Sequence, residues 1–287
     1  MKRVGIIGLG LMGGSLGLAL RGNDCGYEIL GYARRDENRS RALDIGAADR
    51  VFPEPSQLAA TSDIVVCCLP VQAIVPVLSD CAGSFGPGTV ITDVGSTKQA
   101  IVAEMEAVMQ SAAGEFIGSH PICGSEMEGI DAARADLYQG ATTVITPGPD
   151  SDADTVNALK ELWQSAGSAV IEMSAEIHDR LLARSSHLPH LTAAILASVV
   201  GRKHDIELPG GLCGSGYRDT TRLADGSPRI WRDIVQTNIE EVRNELGHLR
   251  DQTGRLLEML ESEDIDAVES FLEEARASRR QLLDGGD

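Results

Sequence analysis

Aromatic residues are scarce. Phe, Trp and Tyr make up 3% of the 287 residues, so the interior must be built from Ala, Leu, Ile and Val. Basic residues are outnumbered: 25 Lys plus Arg stand against 43 Asp plus Glu, for a formal net charge of -18 and a pI near 4.7. Such a surface repels phosphate backbones and anionic lipid, which argues against nucleic-acid and membrane-surface roles. It also repels small anions at long range, so a site for one must gather Arg, His and backbone N–H groups locally. The six cysteines, Cys25, Cys67, Cys68, Cys81, Cys123 and Cys213, include no C-x-x-C pair, and no Cys/His group has zinc-ligand spacing. No bound metal is therefore expected. Cys67 and Cys68 lie in an apolar run and read as small buried hydrophobes. No hydrophobic run reaches bilayer-spanning length. The opening MKRVGIIG enters a strand directly, without the longer apolar stretch and cleavage site of a secretion signal. A reduced, cytoplasmic setting is the expectation.

What is present is ordinary for a globular chain: 43% hydrophobic residues and a mean hydropathy of -0.06. The length suffices for two modest cores. From Arg3 to about Met173, short apolar runs (RVGIIG, EILGYA, DIVVCCLP, GTVITDVG, EFIGSHP, ATTVITPG, SAVIEM) alternate with helix-length stretches such as Thr97–Ala112 and Asp152–Ala166. Continuous apolar strands separated by helices signal a parallel sheet covered on both faces. The last two runs read as an extension of that sheet rather than a new one. After about Ser174 the strand pattern stops. Ala175–Val200 reads as helix interrupted by Pro189, a Gly-rich break PGGLCGSG follows, and long helical stretches run from Ser227 to Leu283. The expected architecture is an α/β dinucleotide-binding domain over 1–173 and an all-α domain over 174–287.

Gly8-Leu9-Gly10-Leu11-Met12-Gly13 is G-x-G-x-x-G placed directly after a strand and opening a helix. The first Gly permits the tight turn, the second lets backbone approach a pyrophosphate, and the third lets helix and strand pack closely. In NAD binders a carboxylate at the end of the second strand holds the ribose 2′-OH. Here Ala33 stands at that place, followed by Arg34 and Arg35, which suit a 2′-phosphate. NADP is thereby favoured and NAD remains possible; the alternative is a solvated loop, with Asp36 close by. Asp93-Val94-Gly95-Ser96-Thr97-Lys98 ends a strand and starts a helix, so it faces the ligand crevice, although Ser96 or Thr97 also suits an N-cap. His120 sits beside Pro121 at another strand end, which suits acid–base work better than the structural role of most lone histidines. In the helical half, Ser186-His187-Leu188-Pro189-His190 and Gly216-Tyr217-Arg218-Asp219-Thr220-Thr221-Arg222 form a polar cluster. Arg218 and Arg222, four apart, share a face if helical. Spacing alone does not separate a ligand role for them from ion pairs with surface carboxylates.

Taken together, GLGLMGGSLGLAL, DVGSTK, GSHPICGSEMEG, SHLPHLTAAI, GYRDTTRLA and SPRIWRDI resemble the prephenate/arogenate dehydrogenase family of tyrosine biosynthesis, in family order from near residue 5 to near residue 235. The resemblance implies a dinucleotide-binding domain joined to a helical domain that dimerises. It makes His120 the catalytic histidine, with Ser96 holding it and the substrate hydroxyl. It gives substrate binding to His190 and Arg222, with Arg218, Asp219, Glu126 and His187 beside them. Cofactor contacts fall to Gly8, Gly10, Leu11, Met12, Gly13, Leu69, Pro70 and Ser96, with Arg34 and Arg35 at the ribose. The implied reaction is oxidative decarboxylation of prephenate or arogenate with NADP or NAD. The chain departs from the family where an aromatic often precedes the Thr of Arg-Asp-Thr-Thr-Arg. Two rival readings fit the sequence less well. A β-hydroxyacid dehydrogenase generally needs a catalytic lysine in its helical domain, and the only lysine after residue 160 is Lys203. A cofactor-binding sensor without turnover needs no base such as His120.

Overall fold

The computed structural model describes residues 1–23, 25–124, 127–202 and 209–284. Six strands, β1 (Arg3–Ile7), β2 (Glu28–Tyr32), β3 (Arg50–Phe52), β4 (Ile64–Cys67), β5 (Val90–Asp93) and β6 (Glu115–Phe116), form one all-parallel sheet in the order β3-β2-β1-β4-β5-β6. The intervening helices are α1 (Leu11–Gly22), α2 (Asp36–Asp44), α3 (Pro55–Thr61), α4 (Val71–Cys81) and α5 (Gln99–Met109). Because successive strand residues face opposite sides, the apolar runs split between two cores. Ile6, Ile29, Ile64, Val66 and Val90 pack with Leu16 and Leu20 of α1 on one face. Ile7, Leu30, Val65, Cys67 and Ile91 pack with Leu58 of α3, Ile74 and Leu78 of α4, and Ile101 and Met105 of α5 on the other. Both clusters are mainly aliphatic, although two of the few aromatics, Tyr138 and Trp163, are fully buried.

Two details differ from the sequence reading. The run EFIGSHP breaks into β6 and a separate strand, β7 (Gly118–Pro121). The strands β8 (Thr142–Thr146) and β9 (Ala169–Glu172) do not extend the parallel sheet. They form a second sheet, β7-β8-β9, in which β7 runs antiparallel to β8. The antiparallel pairing arises on the way from β7 to β8, where the described residues hold only a 3₁₀ turn, Ile130–Ala132, and no crossover α-helix of the kind that returns a chain to a parallel strand. The three-residue β3 was not anticipated, being too short to show a pattern. Helix α6 (Ala153–Ser165), capped by the Asp152 carboxylate on the Thr155 N–H, lies between β8 and β9.

Beyond β9 the chain is helical: α7 (Ala175–Leu182), α8 (Leu188–Val200), α9 (Ser215–Thr221), α10 (Pro228–Thr237), α11 (Ile239–Glu261) and α12 (Ile265–Asp284). The break expected at Pro189 falls just before it. Ala183–His187 forms one wide π-type turn that runs directly into α8, and Pro189 sits in the first turn of α8. By compactness the chain divides into Met1–Ile239 and Glu240–Asp287. The second unit holds α12 and nearly all of α11, and exposes Leu257, Leu260, Ile265 and Leu272. Among the described residues no helix is long and apolar enough to cross a membrane.

Candidate active site

The strand order reverses at β1, which leaves a crevice outside the carboxyl ends of β1 and β4, where open α/β sheets take their ligands. Gly8 follows β1 with φ +107°, a conformation that favours Gly, and a Cβ there would meet the Cys68 carbonyl oxygen at 2.5 Å. A Cβ on Gly13 would meet the Gly8 carbonyl oxygen at 2.2 Å, so this residue serves helix–loop packing. Gly10 differs, since nothing of the protein lies within 4 Å of its Cβ position. Nothing among the described residues requires Gly there, whereas a ligand backing onto the N-terminus of α1 would. The cradle therefore fits a dinucleotide pyrophosphate.

A cavity of about 780 Å³ opens from this loop. Gly10, Leu11, Met12, Leu69, Pro70 and Ser96 line one part of it, and His120, His187, His190 and Arg222 another. Gly8 and Gly13 lie buried beneath the loop. Arg34 and Arg35 are exposed just past β2, and neither side chain has an ion-pair or hydrogen-bond partner among the described residues. Asp36, by contrast, is engaged by Arg39, which also donates to the Ala33 carbonyl. Arg218 and Asp219 are exposed on α9 and do not line the cavity. Helix α9 stops at Thr221 and Arg222 begins a 3₁₀ turn, so Arg218 and Arg222 do not share one α-helical face. Glu126 falls outside the described residues. Among those residues no three His, Cys, Asp or Glu side chains are placed to hold a metal ion. Burial pushes the Cys67 and Cys68 thiols up, Cys67 well above the ordinary range, which disfavours the thiolate form of both.

His120 is one of three buried histidines in the cavity wall, with His187 and His190. Its strand β7 is clamped from behind. The Ser119 N–H donates to Asp93 at 3.1 Å, while the Ser119 hydroxyl meets Thr92 at 2.6 Å and accepts from the Trp163 indole at 3.1 Å. Asp93 also accepts from the Gly95 N–H at 2.7 Å and from the Lys98 ammonium, a wholly buried ion pair. Ahead of the ring, His120 Nδ1 lies 2.8 Å from His178 Nε2, and His178 Nδ1 lies 2.7 Å from Asp179. The Asp179 carboxylate accepts from the Lys98 and Gln99 N–H groups at 2.7 and 3.0 Å. It thus caps α5 from another helix, where the sequence had offered Ser96 or Thr97. Neither acts as that cap; the Thr97 hydroxyl pairs with Thr237 at 2.8 Å.

Desolvation, His178, Lys98 and His187 all push the His120 pKa well below the ordinary histidine range, so the imidazole is neutral at pH 7 and free to accept a proton. Burial, opposed by Asp179, brings His187 down to about 4. Burial also lowers His190. Trp231 of α10 stacks on His190, with ring centroids 3.5 Å apart at 13°, and meets His187 edge-on at 6.0 Å. Asn238 Nδ2 donates to the Asp179 carbonyl at 2.8 Å and reaches His187 Nδ1 at 3.3 Å. Sequence reading missed His178, Asp179, Trp231 and Asn238. Only Trp231 left a signal, as one of two Trp in an aromatic-poor chain and part of SPRIWRDI.

The Asp93–Lys98 pair invites a stability test. Lys98→Met removes the cation and strands a buried carboxylate. Loss of about 3–5 kcal/mol is expected, read as a lower urea midpoint at unchanged slope. A midpoint within error of wild type would show that Lys98 does not neutralise Asp93.

A pyrophosphate cradle and a neutral, buried histidine on one cavity define a nicotinamide-dependent oxidoreductase. The comparisons specify it further. Residues 16–172 match the family described as prephenate dehydrogenase, nucleotide-binding domain, and residues 174–274 match prephenate dehydrogenase, dimerization domain. The chain belongs to the prephenate dehydrogenase family. It is 34% identical over 285 residues to a Bacillus subtilis prephenate dehydrogenase, covering 96% of this chain and 75% of that one. It is 29% identical over 283 residues to a Zymomonas mobilis cyclohexadienyl dehydrogenase, covering 98% and 96%. The solved structure of Aquifex aeolicus prephenate dehydrogenase with hydroxyphenyl propionate and NAD+ superposes with a TM-score of 0.90 at 28% identity, covering 98% of each chain.

Proposed function

We propose that this chain catalyses the oxidative decarboxylation of prephenate or arogenate, giving 4-hydroxyphenylpyruvate or tyrosine, with NADP favoured over NAD. The observation that carries the reading is one cavity that joins the Gly10 cradle to neutral His120 and to the cationic Arg222. The substrate is a cyclohexadienyl alcohol bearing a ring carboxylate. When bound, the nicotinamide supplies the hydride acceptor. His120 takes the proton from the ring hydroxyl as the carbinol carbon is oxidised, and Ser96, on the same cavity, orients that hydroxyl. The carboxylate leaves as carbon dioxide, and aromatisation of the ring drives the step. Arg222, a planar fork on a strongly acidic protein, receives a substrate carboxylate, and His190, braced by Trp231, stands beside it.

The division of labour follows the chain: 1–173 for the cofactor, 174–287 for substrate and for pairing two copies. The dimerization-domain match and the exposed leucines of α11 and α12 support a homodimer. The test crosses two substrates with two cofactors, following absorbance of the reduced nicotinamide. Turnover of prephenate or arogenate is expected, with higher kcat/KM for NADP. No turnover of either substrate with either cofactor would overturn the reading.

A further inference from the structure

We propose that His178 and Asp179 are positioning residues that dictate which nitrogen of His120 acts as the base. This rests on the reading of His120 as the proton acceptor. Asp179 offers only acceptors, and it already receives the Lys98 and Gln99 N–H groups. The 2.7 Å contact from His178 Nδ1 therefore requires the proton on that nitrogen. In neutral His178 the other nitrogen, Nε2, is then bare and can only accept. The 2.8 Å contact with His120 consequently requires the proton on His120 Nδ1. That leaves His120 Nε2 unprotonated, with no hydrogen bond among the described residues, on a ring that lines the cavity. One carboxylate thus sets two tautomers in series.

The contacts also close on themselves. His120 reaches Lys98 forward through His178 and Asp179, and backward through Ser119, Asp93 and the Lys98 ammonium. The loop ties α7 to β5, β7 and the start of α5, so the imidazole is held by partners on both sides. When Nε2 takes the hydroxyl proton, the O–H bond breaks, an N–H bond forms, and the new imidazolium donates through Nδ1 to His178. The charged and titratable groups acting on His120 are His178 on α7, Lys98 ahead of α5 and His187 in the π-type turn; Asp179 on α7 reaches it through His178, and Asp93 on β5 through the Ser119 N–H. Of the two carboxylates, Asp179 is the one connected to the ring nitrogens. Its removal leaves the imidazolium with His178, His187 and the Lys98 cation, already paired to Asp93.

The direct test is nitrogen-15 NMR of the histidine side chains in the full-length protein at pH 7.5. His120 is expected as the Nδ1–H tautomer; a proton on Nε2 in the wild type would overturn the proposal without any variant. For Asp179→Asn, kcat is expected to fall about 10- to 100-fold with KM nearly unchanged, the loss typical of second-layer partners. The acid limb of its pH profile is expected at lower pH. His178→Leu is expected to mix the His120 tautomers, and His178→Gln, which keeps an acceptor, to recover part of kcat. If folded Asp179→Asn and His178→Leu keep the wild-type kcat, acid limb and tautomer, and lose only thermal stability, the residues merely hold α7 in place. A wild type inactive on both substrates that still shows the expected tautomer would overturn the functional reading while supporting the placement.

Discussion

Replacing His120 by Asn is expected to lower kcat by a factor of about 10² to 10⁴, the usual range for loss of a general base. Asn places its amide near the original Nδ1, so a donor to His178 survives and β7 keeps its clamps at Ser119. What disappears is Nε2, the nitrogen left without a hydrogen bond among the described residues on a ring that lines the cavity. Cofactor affinity should change little, because the cradle at Gly10 is built by β1 and α1. The pH dependence gives an independent sign. The active form of His120 is neutral, and burial with His178, Lys98 and His187 pushes its pKa down. Wild-type kcat/KM should therefore hold steady as pH falls through 6.5, where an ordinary histidine would already be half protonated. Its acid limb belongs at lower pH, and residual activity of the variant should lack that limb. An unchanged kcat would remove His120 from the mechanism; an acid limb at or above pH 6.5 would contradict its burial.

The parts of this molecule legible in its sequence are those that rest on local pattern. The fully apolar runs announced parallel strands because both faces of β1, β4 and β5 are buried, and that leaves a continuous trace in the chain. The Gly8–Gly13 loop was legible because its three glycines fall within six residues directly after a strand, although only Gly8 and Gly13 answer crowding by the protein itself. The second sheet was not, because pairing direction depends on a connection rather than on composition. The support of His120 was illegible for a related reason. His178 and Asp179 sit in an ordinary helix 58 and 59 residues away, and nothing in AEIHDRLL separates a positioning pair from surface polar residues. Only the packing of α7 against α5 gives them a role. Trp231 shows the middle case, a rare residue in a quoted motif whose stacking partner His190 lies 41 positions away.

Cofactor choice is expected to turn on the end of β2. Hydride transfer is chemically the same for NAD and NADP, so discrimination must come from contacts at the adenosine ribose. A carboxylate at position 33 would receive the 2′-OH of NAD and repel the 2′-phosphate of NADP. Ala33 does neither, and its carbonyl is occupied by Arg39. Arg39 also pairs with Asp36, which takes the nearest acid out of contention. Arg34 and Arg35 remain, exposed and without partners among the described residues. A guanidinium–phosphate contact at so exposed a place contributes about 1.5–3 kcal/mol, or roughly 10- to 100-fold in NADP affinity. The double change Ala33→Asp with Arg34→Asn should therefore swing preference toward NAD, while Arg34→Asn alone should weaken NADP and leave NAD nearly unmoved. Because Ala33 is buried, a thermal melt of each variant separates lost folding from altered selectivity. Calorimetric titration of both cofactors against wild type and variants gives the ratio. A wild type that already prefers NAD, or a folded double variant with an unmoved ratio, would take the role from Arg34 and make Asp36, released from Arg39, the residue to change next.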